Sequence, residues 1–195
     1  MGTTLYLTAA EYDRMVACGA FDKLNRKVEL IRGQILTMNP AGPIHDDYIG
    51  YLTDWSVRSS DPTKVRVQVQ TGMNLDELDS RPEPDLFWVK RGRYLSRHPT
   101  GTDTLLAIEV ADSSLKNDRT EKSDLYAEAG VLEYWVVDVA GKCIYVMREV
   151  AADKHYGWQR PVHPGDTLSP LAEPNAVLDV ADLFDVQNPR PSLLL

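Results

Sequence analysis

Cysteine is scarce in this chain. Cys18 and Cys143 are the two among 195 residues, too few for a disulfide framework and without the spacing of a zinc site; both are expected to be packed thiols. His98, His155 and His163 lack any spaced partner and read as surface residues. No apolar run approaches the roughly 20 residues that a membrane helix needs, and the start lacks a basic region followed by an apolar one. Met1-Gly2 opens like a myristoylation signal, but Tyr6 stands where Ser or Thr is required. A cytoplasmic protein with no membrane contact is the expectation. Repeats, low-complexity tracts and domain linkers are also missing. A single domain over 1–187 is therefore expected, with a frayed tail over 188–195. Positive charge is short as well: 21 Lys and Arg face 29 Asp and Glu, for a net charge of −8. That balance disfavours indiscriminate binding to phosphate backbones, although local distribution matters more than the sum.

With 43% hydrophobic residues the chain can bury a substantial core without staples. Thr8-Ala-Ala-Glu11 is a capping box, Leu7 and Tyr12 form its hydrophobic staple, and Gly19 stops a short first helix. Val28 to Ile31 and Gln34 to Met38 make a hairpin around Arg32-Gly33, and Asn39-Pro40-Ala-Gly-Pro43 makes a rigid loop leading to His45. Ile44, Tyr48, Tyr51, Leu52 and Trp55 recur at helical spacing and predict one buried stripe. Val65, Val67 and Val69 alternate with polar residues, as in a half-exposed strand whose polar side could line the cleft; Gln70 reads as a solvated side chain, with a supporting donor to the site as the alternative. Glu133 to Asp138 and Cys143 to Met147 read as two further strands. Prolines 161, 164, 170 and 174 then predict irregular structure before a final helix near Val180 to Phe184.

Three residues stand out against this background. Asp85 precedes the apolar run Leu86-Phe87-Trp88-Val89 and should sit at the mouth of a strand. Glu109 falls near the end of Thr104 to Val110, a stretch that reads as a strand buried on both faces. A carboxylate there must pair, protonate or bind metal. Asp118-Arg-Thr-Glu121 resembles a capping pattern opening a helix to Ala129, with Gly130 as its stop, and puts Lys122 and Tyr126 on one helical face. Two carboxylates suit Mg²⁺ or Mn²⁺, which take hard oxygen ligands. An amine beside them would stabilise charge on a phosphate, or help deprotonate water once its pKa is depressed. The pattern points to phosphodiester hydrolysis.

Glu109-Val110, Asp118, Lys122, Tyr126 and Gly130 to Asp138 together resemble the Uma-type family of putative restriction endonucleases, within the PD-(D/E)XK nuclease superfamily. Val28-Glu29-Leu30-Ile31-Arg32-Gly33, Met38-Asn39-Pro40 with His45, Glu83-Pro84-Asp85 and Leu178 to Phe184 extend the likeness over nearly the whole chain. The resemblance implies an α/β (α+β) restriction-endonuclease-like core, a mixed sheet flanked by helices with its acidic residues at one sheet edge. It implies a metal-dependent endonuclease acting on DNA as a homodimer, with Mg²⁺ or Mn²⁺ on Asp85, Glu109 and the Val110 carbonyl. The superfamily pattern places Lys two positions after the acid, where this chain has Ala111. The resemblance implies that Lys122 supplies the amine instead, with Lys116 as the alternative. Glu29 is either solvated or turned into the cleft, where the superfamily often adds an acid. His45, at a helix start that favours a neutral ring, is positioned to orient water or phosphate. Lys90, Arg91, Arg93, Arg97 and His98, with Lys116 and Arg119, could cradle a backbone or simply be solvated. Surface near Tyr134 to Val146 could pair protomers. Ala111 and the acidic balance leave a non-cutting module that binds nucleic acid or a protein partner as the alternative, and a hydrolase for another phosphate ester as a third.

Overall fold

The computed structural model describes residues 3–38 and 42–185; Met1-Gly2, Asn39-Pro40 and the tail from Asn188 lie outside the described residues. The chain opens with helix α1 (Ala9–Ala17), capped by Thr8 and Glu11 as the box requires. A hairpin follows, β1 (Val28–Ile31) against β2 (Gln34–Thr37). Its two turn residues Arg32 and Gly33 both have positive φ, 48° and 76°, the geometry a two-residue hairpin turn demands. Helix α2 (Pro43–Ser59) begins with proline at its first position, where the missing N–H costs nothing.

Six strands form the main sheet: β3 (Val65–Val69), β4 (Leu86–Lys90), β5 (Thr104–Ala111), β6 (Tyr134–Asp138), β7 (Cys143–Val150) and β8 (Tyr156–Val162), in that order across it. Neighbours run antiparallel except β5 and β6, which are parallel. A parallel pair needs a crossover, and residues 112–133 supply it. Within it α3 (Leu115–Asn117), a π-helical turn (Asp118–Lys122) and α4 (Ser123–Glu128) form one continuous helical run. The chain closes with β9 (Thr167–Leu168) paired to β10 (Leu178–Asp179) and α5 (Val180–Phe184).

Strand alternation divides the core between the two faces of the sheet. Leu86, Trp88, Leu106, Ile108, Val110 and Trp135 pack with Tyr48, Leu52 and Trp55 of α2 and Phe184 of α5. Trp55 stacks on Trp88 at 5.4 Å between ring centroids. Phe87, Ala107, Tyr134 and Val136 pack on the other face with Leu125, Tyr126 and Ala127 of the crossover helix. Glu109 shares that second face by its parity in β5, so the crossover helix lies directly over it.

Several expectations need correction. Ile44 is 58% exposed while Ile49 is buried, because the stripe of α2 meets the sheet only from the second turn. Asp118 is not a cap: its φ and ψ are −65° and −35° and the helical run starts upstream after Ser114. Pro161 lies within β8 rather than in irregular structure, tolerated because β8 is the sheet's edge and one side of its backbone needs no ladder partner. Cys18 is exposed, and Cys143 alone is buried. Tyr134, Trp135, Val136, Val137, Ile144 and Val146 are all buried, and in that stretch exposure is confined to the turn joining β6 to β7 and, in part, to Tyr145. Glu109 lies on the inner strand β5, Asp85 just before β4 and Glu29 on the separate hairpin, so the acids are not gathered on an edge strand of the main sheet. Among the described residues no helix is long and apolar enough to cross a membrane.

Candidate active site

Glu109 sits in β5 with 3% of its surface exposed, and its Oε1 accepts two hydrogen bonds from the crossover helix. The Lys122 ammonium donates at 3.0 Å and the Tyr126 hydroxyl at 2.8 Å. Their spacing of four places both on one helical face, and the π-helical turn before α4 brings Asp118 to the same side. Such turns are often found at functional sites. Burial pushes the Glu109 carboxyl well up; Lys122 pulls it down, and Asp85, Asp118 and Glu29 add to the rise. Burial alone would lower the Lys122 pKa, but Glu109, Glu29 and Asp118 outweigh it and raise it. The depressed amine that would deprotonate water is therefore replaced by a held ammonium. Glu29 is turned inward, 2% exposed, with Oε2 3.5 Å from Lys122 Nζ and Oε1 accepting the Glu83 N–H at 2.6 Å.

Asp85 stands at the mouth of β4. Its Oδ2 accepts the Val110 N–H at 2.9 Å and lies 3.2 Å from His45 Nε2. Burial works against its ionisation, yet the bonds from His45 and Val110 lower its pKa on balance. His45 occupies the first turn of α2, where a neutral ring was expected. Instead its pKa is raised, the Asp85 bond overcoming both burial and position. The five sequence candidates Asp85, Glu109, Lys122, Glu29 and His45 thus converge on one cleft of about 1020 Å³.

Residues 9–181 match the family model Uma2, described as "Putative restriction endonuclease". The chain belongs to the Uma2 family. No curated protein matches it. Among solved structures, a putative nuclease belonging to DUF820 from Anabaena variabilis ATCC 29413 is similar, with a TM-score of 0.70 and 14% identity over 91% of this chain and 97% of that one. At that identity the likeness establishes the fold.

The Uma2 cleft holds more than the sequence singled out. Glu83 and Asp118 line it, each with its carboxyl pushed up chiefly by burial; Asp118 also bonds the Ser114 hydroxyl. Asp118 stands four residues before Lys122, a signal that could have identified it. Arg26 and Lys27, a basic pair just before β1, also line the cleft, and Leu24, Ile35, Leu36 and Met38 form an apolar side. By contrast the basic loop after β4 starts at that strand's far end, about 16 Å from Asp85 at ~3.3 Å per residue. There Arg97 pairs with Asp103 at 2.6 Å and Lys90 donates to the Thr102 carbonyl at 2.8 Å, and neither lines the cleft. The Asp85 and Glu109 carboxylates and the Val110 carbonyl are the hard oxygen donors that Mg²⁺ or Mn²⁺ takes, so the residues present fit such an ion. A strand residue's N–H and C=O project to the same side, and the Val110 N–H already points to Asp85. Among the described residues no three His, Cys, Asp or Glu side chains are gathered into a ligating group.

Proposed function

We propose that this chain is a metal-dependent endonuclease hydrolysing DNA phosphodiesters in the Asp85–Glu109 cleft. The observation that carries the reading is a buried ammonium, Lys122, 3.0 Å from a buried carboxylate that no structural ion pair on the surface would require. Burying such a pair costs desolvation that well-packed apolar residues avoid, so a functional role accounts for it better than stability does. Mg²⁺ or Mn²⁺, when bound, would supply Lewis-acid stabilisation and a more acidic water. Asp85, Glu109 and the Val110 carbonyl would hold it. Lys122 stabilises negative charge developing on the phosphoryl oxygens, while Glu29 fixes the ammonium from its other side. His45 keeps Asp85 ionised and oriented.

Incubation of supercoiled plasmid with Mn²⁺ tests this. Wild-type protein is expected to nick or linearise it, with Glu109→Ala reducing the rate by about two orders of magnitude or more. Equal cleavage by Glu109→Ala at matched purity would overturn the assignment. A second reading, a non-cutting module on a nuclease scaffold, draws on the fact that both acids already have protein partners. Calorimetric titration with Mn²⁺ separates the two: absence of binding sensitive to Asp85→Ala favours the module.

A further inference from the structure

The helical run that sends Lys122 into the cleft turns another face outward. On that face Lys116 and Arg119 are exposed and, with Leu115 and Thr120, line a hollow of about 410 Å³. The Arg119 guanidinium lies over the Tyr145 ring of β7, 3.6 Å from its centroid. Arg32, Arg81, Arg97 and Arg148 are all tied to carboxylates. Among the described residues Lys116 and Arg119 have no acidic partner, in a chain where acids outnumber bases by 29 to 21. A guanidinium resting on an aromatic ring presents a flat, pre-oriented cationic plane, so less entropy is lost when something stacks on its outer side.

We propose that Lys116, Arg119 and Tyr145 form a subsite for an unpaired nucleotide of the substrate strand. The base stacks on the outer plane of Arg119 and the flanking phosphate meets Lys116. Unpaired bases recognised by proteins stack in this way on aromatic rings and Arg planes, whereas in a duplex both faces of a base are covered by its neighbours. Position supports the assignment, since Ser114, Asn117, Asp118 and Lys122 of the same run line the cleft. Arg119 therefore stands three residues before Lys122, within one helical turn of it along the run. The inference rests on the nuclease reading for what happens next door, and deepens it: the substrate carries a single-stranded segment beside the scissile bond.

Fluorescence anisotropy in EDTA, where no cutting occurs, tests binding separately from cleavage. The probes are a labelled single-stranded DNA oligonucleotide and the blunt duplex of the same sequence, with circular dichroism confirming that each variant is folded. Lys116→Ala combined with Arg119→Ala is expected to weaken single-strand binding about tenfold. The slope of log affinity against log salt should fall by roughly 0.7 for each phosphate that the variant leaves unneutralised. Arg119→Lys keeps the charge but not the plane, and should lose about threefold. Duplex affinity should change less than either. Unchanged single-strand affinity, equal losses on both probes, or no oligonucleotide binding by the wild type would each overturn the subsite. Arg119-sensitive binding with no cleavage in Mn²⁺ of either the plasmid or the single-stranded oligonucleotide would sink the nuclease reading and leave the subsite standing. Cleavage with Arg119-insensitive binding would do the reverse.

Discussion

Asp85 accepts the backbone N–H of Val110 at 2.9 Å, which ties the carboxylate opening β4 to the residue directly after Glu109. The Asp85 carboxylate is thus anchored to the backbone of the strand that carries Glu109. The same Asp85 oxygen holds His45. Replacing Asp85 with Asn removes the charge that raises His45 while leaving an oxygen to accept the Val110 N–H. His45 is therefore expected to titrate at lower pH in Asp85→Asn than in the wild type, followed by NMR of the imidazole Cε1–H. An unshifted His45 would show that Asp85 does not control its protonation.

Lys122 is the counter-charge for Glu29, Glu109 and Asp118. Lys122→Met strands those acids in the interior, and breaking a buried pair in this way costs about 3–5 kcal/mol. Urea denaturation at neutral pH should register that loss. It should shrink toward pH 5, where carboxyls lacking their ammonium protonate. A wild-type midpoint at both pH values would rule out the buried pairing.

A pH effect is expected away from the cleft. Burial opposes ionisation of Asp103, but Arg97 and the N–H and hydroxyl of Thr100 outweigh it and bring its pKa from 3.8 to about 2. A depressed folded-state value means stability that is complete above about pH 4 and lost as pH falls toward 2. Because Arg97 is half exposed, solvent screening keeps the contribution small. Asp103→Asn should flatten the acid limb of the wild-type stability profile between those pH values, measured by urea titration; parallel limbs would refute it.

Gly101, just before β5, has no room for a side chain. A Cβ there would lie 2.2 Å from the Ala129 carbonyl oxygen and 2.7 Å from the Ala129 Cβ. Neither atom is the free end of a flexible side chain, so the backbone must shift. Gly101→Ala should destabilise by about 1–3 kcal/mol, readable as a lower melting temperature, and an unchanged one would contradict the close approach.

Much of this site could be read from local pattern. Glu109 announced itself as a charge inside an apolar strand, and Lys122 with Tyr126 shared a face by simple spacing. The hairpin was legible because Arg32-Gly33 interrupts two apolar runs. What escaped depends on distant neighbours. His45 was assigned a lowered pKa from its helix position, whereas the bond to Asp85, 40 residues away, raises it. Lys122 carries the charge that Asp118 beside it and the distant Glu29 and Glu109 together impose, and the distant pair is invisible along the chain. Asp118-x-x-Glu121 fits a capping box equally well inside a helix, since the motif does not record whether the preceding backbone is already helical. Pro161 read as a breaker because edge position in a sheet leaves no local trace.

The parallel pairing of β5 with β6 sets a rule for how this protein can diverge. Because residues 112–133 must travel back along the sheet before β6 can begin, their length decides which side chain arrives above Glu109. Deleting or inserting one residue ahead of Lys122 would rotate the helix by about 100° and swing the ammonium away while every strand stayed in register. The length of that stretch is therefore as constrained as the identity of Lys122 itself.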